Sequence, residues 1–121
     1  MTQFLLMAED DPDIQLVARM ALKKAGFRVA VVNNGRELLD RVKDERPDVI
    51  LLDWMMPELN GPDTCMALKA DPATADIPVI FMTAKSQGFE QDRGLASGAR
   101  GYIIKPFDAL TLGDRIRELL G

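Results

Sequence analysis

The chain has 121 residues and 13.4 kDa, room for one domain with its own core and not for two, so residues 1–121 are read as a single unit. Apolar residues make up 47% and charged residues 28%, a globular composition; with no histidine and only Cys65, it excludes Ser-His-Asp or Cys-His catalysis, a histidine-bearing zinc site and an internal disulfide. Nineteen acidic against 15 basic side chains give a net charge of -4 and a pI near 4.8, a field that does not favour direct binding to nucleic acid or an anionic membrane.

Met1 to Met7 carry no positive charge and run into Glu9, Asp10 and Asp11, so the start is neither a signal peptide nor a membrane span, and a cytoplasmic protein is the expectation. Phe4 to Ala8 is a continuous apolar run of strand length. A helix follows: Ile14, Val17, Ala18, Ala21, Leu22 and Ala25 form one apolar stripe, with Pro12 suited to its first turn and Gly26 to its stop. Val29 to Val32 is the second strand and Gly35 to Glu45 the second helix, through Leu38, Leu39 and Val42. Val49 to Leu52 is the third strand, and a helix over Asp63 to Ala70 begins after Gly61-Pro62. The turn residues Asp71 to Asp76 lead to a fourth strand, Val79 to Met82. A sparsely apolar helix is expected over Gly88 to Ser97, then a fifth strand, Tyr102 to Ile104, and a last helix marked by Leu112, Ile116, Leu119 and Leu120.

Nearly continuous apolar strands alternating with helices predict an α/β fold: a doubly wound (βα)5 unit with an open parallel sheet covered on both faces. A closed eight-fold barrel would need about 250 residues. In such a sheet, ligands bind beyond the carboxyl ends of the strands, so the residue closing each apolar run is where chemistry is expected. Strand one closes in Glu9-Asp10-Asp11, strand three in Asp53, strand four in Thr83 and strand five in Lys105. Converging carboxylates repel one another, which a raised pKa or a bound hard cation relieves, and oxygen-only ligands point to Mg2+ with Mn2+ as an alternative. An Asp carboxylate can also attack phosphorus. Asp53 is the candidate nucleophile, Asp10 and Glu9 hold the cation, and Lys105 and Thr83 supply donors to phosphoryl oxygens. Asp11 and Asp13 belong to the positive end of the first helix and are read as structural. Lys23-Lys24 and Arg115 with Arg117 read as solvated helix faces, and Cys65 and the methionines as core filling or helix surface.

Four blocks, "EDDPDI", "DVILLDWMMPELNG", "IPVIFMTA" and "GARGYIIKPF", in this order and spacing resemble the receiver domain of two-component response regulators over the whole chain. The resemblance implies the flavodoxin-like three-layer sandwich with strand order 2-1-3-4-5. It also implies that Asp53 is phosphorylated and that Asp10, Asp53 and the backbone carbonyl of Met55 bind Mg2+. Glu9 stands where the family more often has Asp, so that it can reach the ion through a water. Thr83 matches the switch hydroxyl, Tyr102 the switch aromatic, and Lys105 the conserved-type lysine, whose bond to Pro106 is expected to be cis. Met55 and Lys85 take the variable positions expected to tune phosphate lifetime.

The implied function is a signalling switch, not a turnover enzyme, although it takes part in its own phosphorylation and dephosphorylation. The phosphoryl group would come from a sensor histidine kinase, a phosphotransfer protein or a small donor, since this chain has no histidine to phosphorylate. The output partner is unidentified, and the chain is expected to be either a stand-alone receiver or one cut from a longer protein. A homodimer through the last helix and strand stays open, with Arg100-Gly101 replacing the Asp pair often seen before the tyrosine in winged-helix regulators. Three competing readings are weaker. A phosphatase or phosphomutase would show Asp-x-Asp, but position 55 is Met; a flavin module needs Gly, Ser and Thr after strand one; a phosphorylation-independent binding receiver would not need the complete acceptor set.

Overall fold

The computed structural model describes residues 2–84 and 98–121. The five apolar runs are five parallel strands, β1 (Phe4–Ala8), β2 (Arg28–Val32), β3 (Val49–Asp53), β4 (Val79–Thr83) and β5 (Gly101–Ile104), in the order β2-β1-β3-β4-β5. Among the described residues the helices are α1 (Pro12–Lys24), α2 (Gly35–Asp44), α3 (Gly61–Ala70) and α4 (Leu112–Leu120). The helix expected over Gly88 to Ser97 lies outside the described residues, as does Lys85. No helix among the described residues is long and apolar enough to cross a membrane.

Side chains alternate across each strand, and both sets are apolar, so the sheet carries a core on each face. Leu5, Met7, Val49, Leu51, Ile80 and Met82 pack against Ala18 and Leu22 of α1 and Leu112 and Ile116 of α4. Their neighbours Leu6, Ala8, Ile50, Leu52, Val79 and Phe81 pack against Leu38 and Val42 of α2 and Cys65 and Leu68 of α3. Full burial of each large aliphatic side chain contributes about 1.5–3 kcal/mol. Strand β2, at the sheet edge, is only half-buried.

Side-chain caps fix where three helices start. Asp11 accepts from the amides of Asp13 (2.9 Å) and Ile14 (3.4 Å), Asn34 from Glu37 (2.9 Å) and Asn60 from Asp63 (2.9 Å). The structural role expected of exposed Asp11 is thus an N-cap, worth about 1 kcal/mol.

Several expectations are corrected. Strands β3 and β4 continue one residue past their apolar runs, because pairing extends to Asp53↔Met82 and Thr83↔Ile104. Strands β2 and β5 begin one residue early, paired as Phe4↔Arg28 and Ile80↔Gly101. Helix α3 starts at Gly61 because the Asn60 cap and Pro62, which has no N–H to satisfy, make a natural first turn. Val17 is not a core residue: it is 46% exposed, rotated off the buried line of Ala18 and Leu22. Arg117 is not simply solvated; it donates to the Ala25 carbonyl and lies 4.5 Å over the Phe27 ring, clasping α4 to the end of α1.

Candidate functional site

Because β1, β3, β4 and β5 are consecutive in the sheet, the residues closing them form one row at its carboxyl edge. Glu9 and Asp10 follow β1, Asp53 and Thr83 end β3 and β4, and Lys105 follows β5. The Lys105 amide donates to the Thr83 carbonyl (2.7 Å) and the Trp54 amide to the Met82 carbonyl (2.9 Å), so the ladder itself sets where these side chains emerge.

The carboxylates of Glu9, Asp10 and Asp53 converge, with one oxygen of each within 4.8 Å of the others. Lys105 Nζ lies 2.8 Å from Glu9 Oε2 and 2.9 Å from Asp53 Oδ1, while the second Glu9 oxygen accepts from the Asp11 amide at 3.1 Å. Glu9 and Asp53 are buried and Asp10 is exposed, which leaves the pocket open on the Asp10 side. Burial raises the Asp53 carboxyl above its ordinary range against the pull of Lys105, and the charge of Asp10 adds to the rise. Burial likewise raises Glu9, opposed by Lys105 and reinforced by Asp53. Burial alone would lower Lys105, but its bonds to Glu9 and Asp53 outweigh that and hold it above its ordinary value.

Among the described residues, these three carboxylates thus face one ammonium, which pairs with two of them. A hard divalent cation fits this all-oxygen donor set and would neutralise the surplus charge. Met55, whose carbonyl is the fourth expected ligand, lies in the exposed loop two residues beyond Asp53. That loop returns tightly: the Gly61 amide donates to the Trp54 carbonyl at 3.0 Å, and a Cβ on Gly61 would sit 2.4 Å from the Asp53 carbonyl oxygen. Only glycine lets α3 start against the end of β3. Trp54 is held beside Asp53, its ring 5.1 Å from Phe81 in an edge-on arrangement.

Thr83 is buried at the end of β4. Tyr102 is half-buried two residues before Ile104, which pairs with Thr83, so Tyr102 and Thr83 lie on the same sheet face. The Lys105-Pro106 bond is cis. Of the site residues named from sequence, Glu9, Asp10, Asp53 and Lys105 meet in one cluster, Thr83 ends the neighbouring strand at the same edge, and Tyr102 shares its sheet face.

Sequence reasoning did not single out Gln15. Its side-chain amide donates to the Glu9 carbonyl and to Asn33 Oδ1 (3.0 Å), joining α1 to the ends of β1 and β2. The only signal was its place one helical turn after the Asp11 cap, on the side facing the strand ends.

Comparison with known proteins agrees with this geometry. A family model described as the response regulator receiver domain matches residues 5–117. The chain is 38% identical over 120 residues to the DNA-binding response regulator MtrA of Mycolicibacterium smegmatis, covering 99% of this chain and 51% of that protein. It thus spans about half the length of the curated relatives it matches. Among solved structures, it is similar to the chemotaxis response regulator CheY4 of Vibrio cholerae, with a TM-score of 0.93, 27% identity and coverage of 98% of this chain and 99% of that one. It is also similar to the receiver domain of a sensor histidine kinase from Pseudomonas aeruginosa, with a TM-score of 0.89, 28% identity and coverage of 100% and 99%. That structure has a magnesium ion coordinated in its active site cleft.

Proposed function

The chain belongs to the response regulator receiver domain family, and from that premise we propose that residues 1–121 form one receiver unit, a phosphorylation-activated switch whose acceptor is Asp53. The observation that carries this reading is the ion-paired acidic row itself, in which Lys105 bridges Glu9 and Asp53 beside Asp10. One Asp53 carboxylate oxygen attacks phosphorus; the P–O bond forms as the bond to the donor's nitrogen, or to the acyl oxygen of a small donor, breaks, and the leaving group keeps that electron pair. Lys105 and the Thr83 hydroxyl stabilise the charge on the transferred phosphoryl oxygens. Glu9, Asp10, Asp53 and the Met55 carbonyl would hold Mg2+, with Mn2+ as an alternative; when bound, it supplies positive charge against the incoming phosphoryl group.

Phosphorylation draws Thr83 inward and Tyr102 with it, changing the surface around β5 and α4. Tyr102, Ile104, Phe107 and Arg115 line a cleft of about 480 Å³ there, where an output partner or a second copy of the chain would read the change. The donor is a sensor histidine kinase or phosphotransfer protein in the cytoplasm. Turnover catalysis is not part of the function, and neither is membrane or direct nucleic-acid binding by this chain. Met55 and Lys85 tune the lifetime of the aspartyl phosphate, so Met55→Asn is expected to change its decay rate.

Intact mass after incubation with Mg2+ and acetyl phosphate tests the acceptor. Wild type should gain one phosphoryl group and Asp53→Asn none. Beryllofluoride should alter Trp54 emission in wild type alone. No Asp53-dependent adduct together with no beryllofluoride response would favour a receiver that only binds.

A further inference from the structure

Asp10 is exposed, and among the described residues its carboxylate makes no hydrogen bond or ion pair. Glu9 beside it is held at every polar atom. Its amide donates to the Val32 carbonyl (3.0 Å), one carboxylate oxygen accepts from the Asp11 amide and the other from Lys105, and its carbonyl accepts from the Gln15 side chain. That last contact bears on Asp10. The Glu9 carbonyl and the Asp10 amide share one rigid peptide plane, so fixing the carbonyl fixes the direction in which Asp10 leaves the strand.

Gln15 is itself oriented. Its amide also donates to Asn33 Oδ1 at 3.0 Å, and Asn33 is held by Glu37, whose Oε1 accepts from the Asn33 backbone amide (3.2 Å) and side-chain amide (3.3 Å). Glu37 lies in the first turn of α2, where Asn34 caps its amide. A chain of hydrogen bonds thus runs from α2 across the end of β2 to the Glu9–Asp10 peptide. A leucine at position 15 would fill much the same space and make none of it.

We propose that Gln15 is a positioning residue for the acidic pocket: oriented by Asn33, it holds the Glu9–Asp10 peptide so that Asp10 faces Asp53, and so sets the affinity for a divalent cation. This inference rests on the cation reading given above. Groups that orient metal ligands typically change affinity by about 10- to 100-fold when removed, and one acting through a backbone carbonyl belongs at the lower end.

The test is titration of the metal-free chain with MgCl2, followed by Trp54 emission, in wild type, Gln15→Leu, Asn33→Ala and the double variant. Gln15→Leu should raise the half-saturating concentration about tenfold. Asn33→Ala should raise it less, and the double variant should be no worse than Gln15→Leu, because Asn33 then has no amide to orient. The metal-free melting midpoint should stay close to wild type in each. A wild-type half-saturation in Gln15→Leu, additive effects of the two substitutions, or a loss of affinity that tracks a fall in the metal-free midpoint would overturn the proposal. If Gln15→Leu does not fold, Asn33→Ala leaves α1 untouched and decides alone. A wild type with no saturable Mg2+ response would overturn the cation reading and this inference together, an outcome distinct from failure of the variants only.

Discussion

Two half-buried lysines stand at opposite ends of the sheet, Lys69 by the loop entering β4 and Lys105 by the loop leaving β5. Lys69 Nζ donates to the carbonyls of Ala75 (3.0 Å) and Ile77 (2.9 Å). It works there beside other closed pairs: Asp48 caps the Phe4 amide at 2.7 Å, Thr74 Oγ1 bonds the Leu68 carbonyl at 2.6 Å, and Arg46 donates to the Ala73 carbonyl. Lys105 instead faces two buried carboxylates with a third close by. Backbone carbonyls do not titrate and carry no net charge for an ion to take over, whereas carboxylates do both. The same ammonium is a clip at one end and an exchangeable counter-charge at the other.

This contrast can be broken experimentally. The largest effect is expected where the site end is as tightly built as the clip end: Gly61→Ala drives a methyl against the Asp53 carbonyl and should lower stability by about 3 kcal/mol in chemical denaturation, with a reduced phosphoryl adduct. Lys69→Met leaves two carbonyls unpaired and should lower stability by about 2 kcal/mol while leaving the Mg2+ half-saturation at its wild-type value. A shift in half-saturation would erase the distinction between the two ends.

The smallest effect concerns proton linkage. An acid whose pKa is raised on folding binds its proton more tightly in the folded state, so it detracts from stability above its folded value, and that penalty fades as pH falls toward its unfolded one. Asp53 and Glu9 are such acids, against ordinary values of 3.8 and 4.5. The support from Lys105, raised above 10.5, is lost only on the alkaline side and leaves the acid window unchanged. Metal-free Asp53→Asn should therefore melt above wild type at neutral pH, with the gap closing as pH falls toward the ordinary carboxyl range. A variant that melts lower at neutral pH would show that the pair with Lys105 outweighs the burial of Asp53.

Much of this was legible in the sequence because it depends on short-range patterns. Continuous apolar runs separated by amphipathic helices gave away a two-faced parallel sheet, and the residues closing those runs, Glu9, Asp53, Thr83 and Lys105, followed from where such sheets bind ligands. What escaped depends on contacts between distant segments. Gln15 and Asn33 are 18 residues apart and carry no joint signature. Arg117 reaches Ala25 across 92 residues, so it reads as solvent-facing until the chain is folded. Val17 fits the helical period as well as Ala18 does, but in the folded chain it is turned off the buried line into the groove between α1 and α4, also lined by Met20 and Leu110.

The bonds that tie the acidic row to its lysine span nearly the whole polypeptide: Lys105 meets Glu9 across 96 residues and Asp53 across 52. Until β5 docks, the ends of β1 and β3 present like charges without Lys105 between them, and closing so long a loop belongs to the slow, late part of folding. A nascent or clipped chain lacking the fifth strand would have the Asp53 carboxylate without the ammonium that pairs with it. The paired acidic row is therefore a property of the finished fold and of no shorter piece of it.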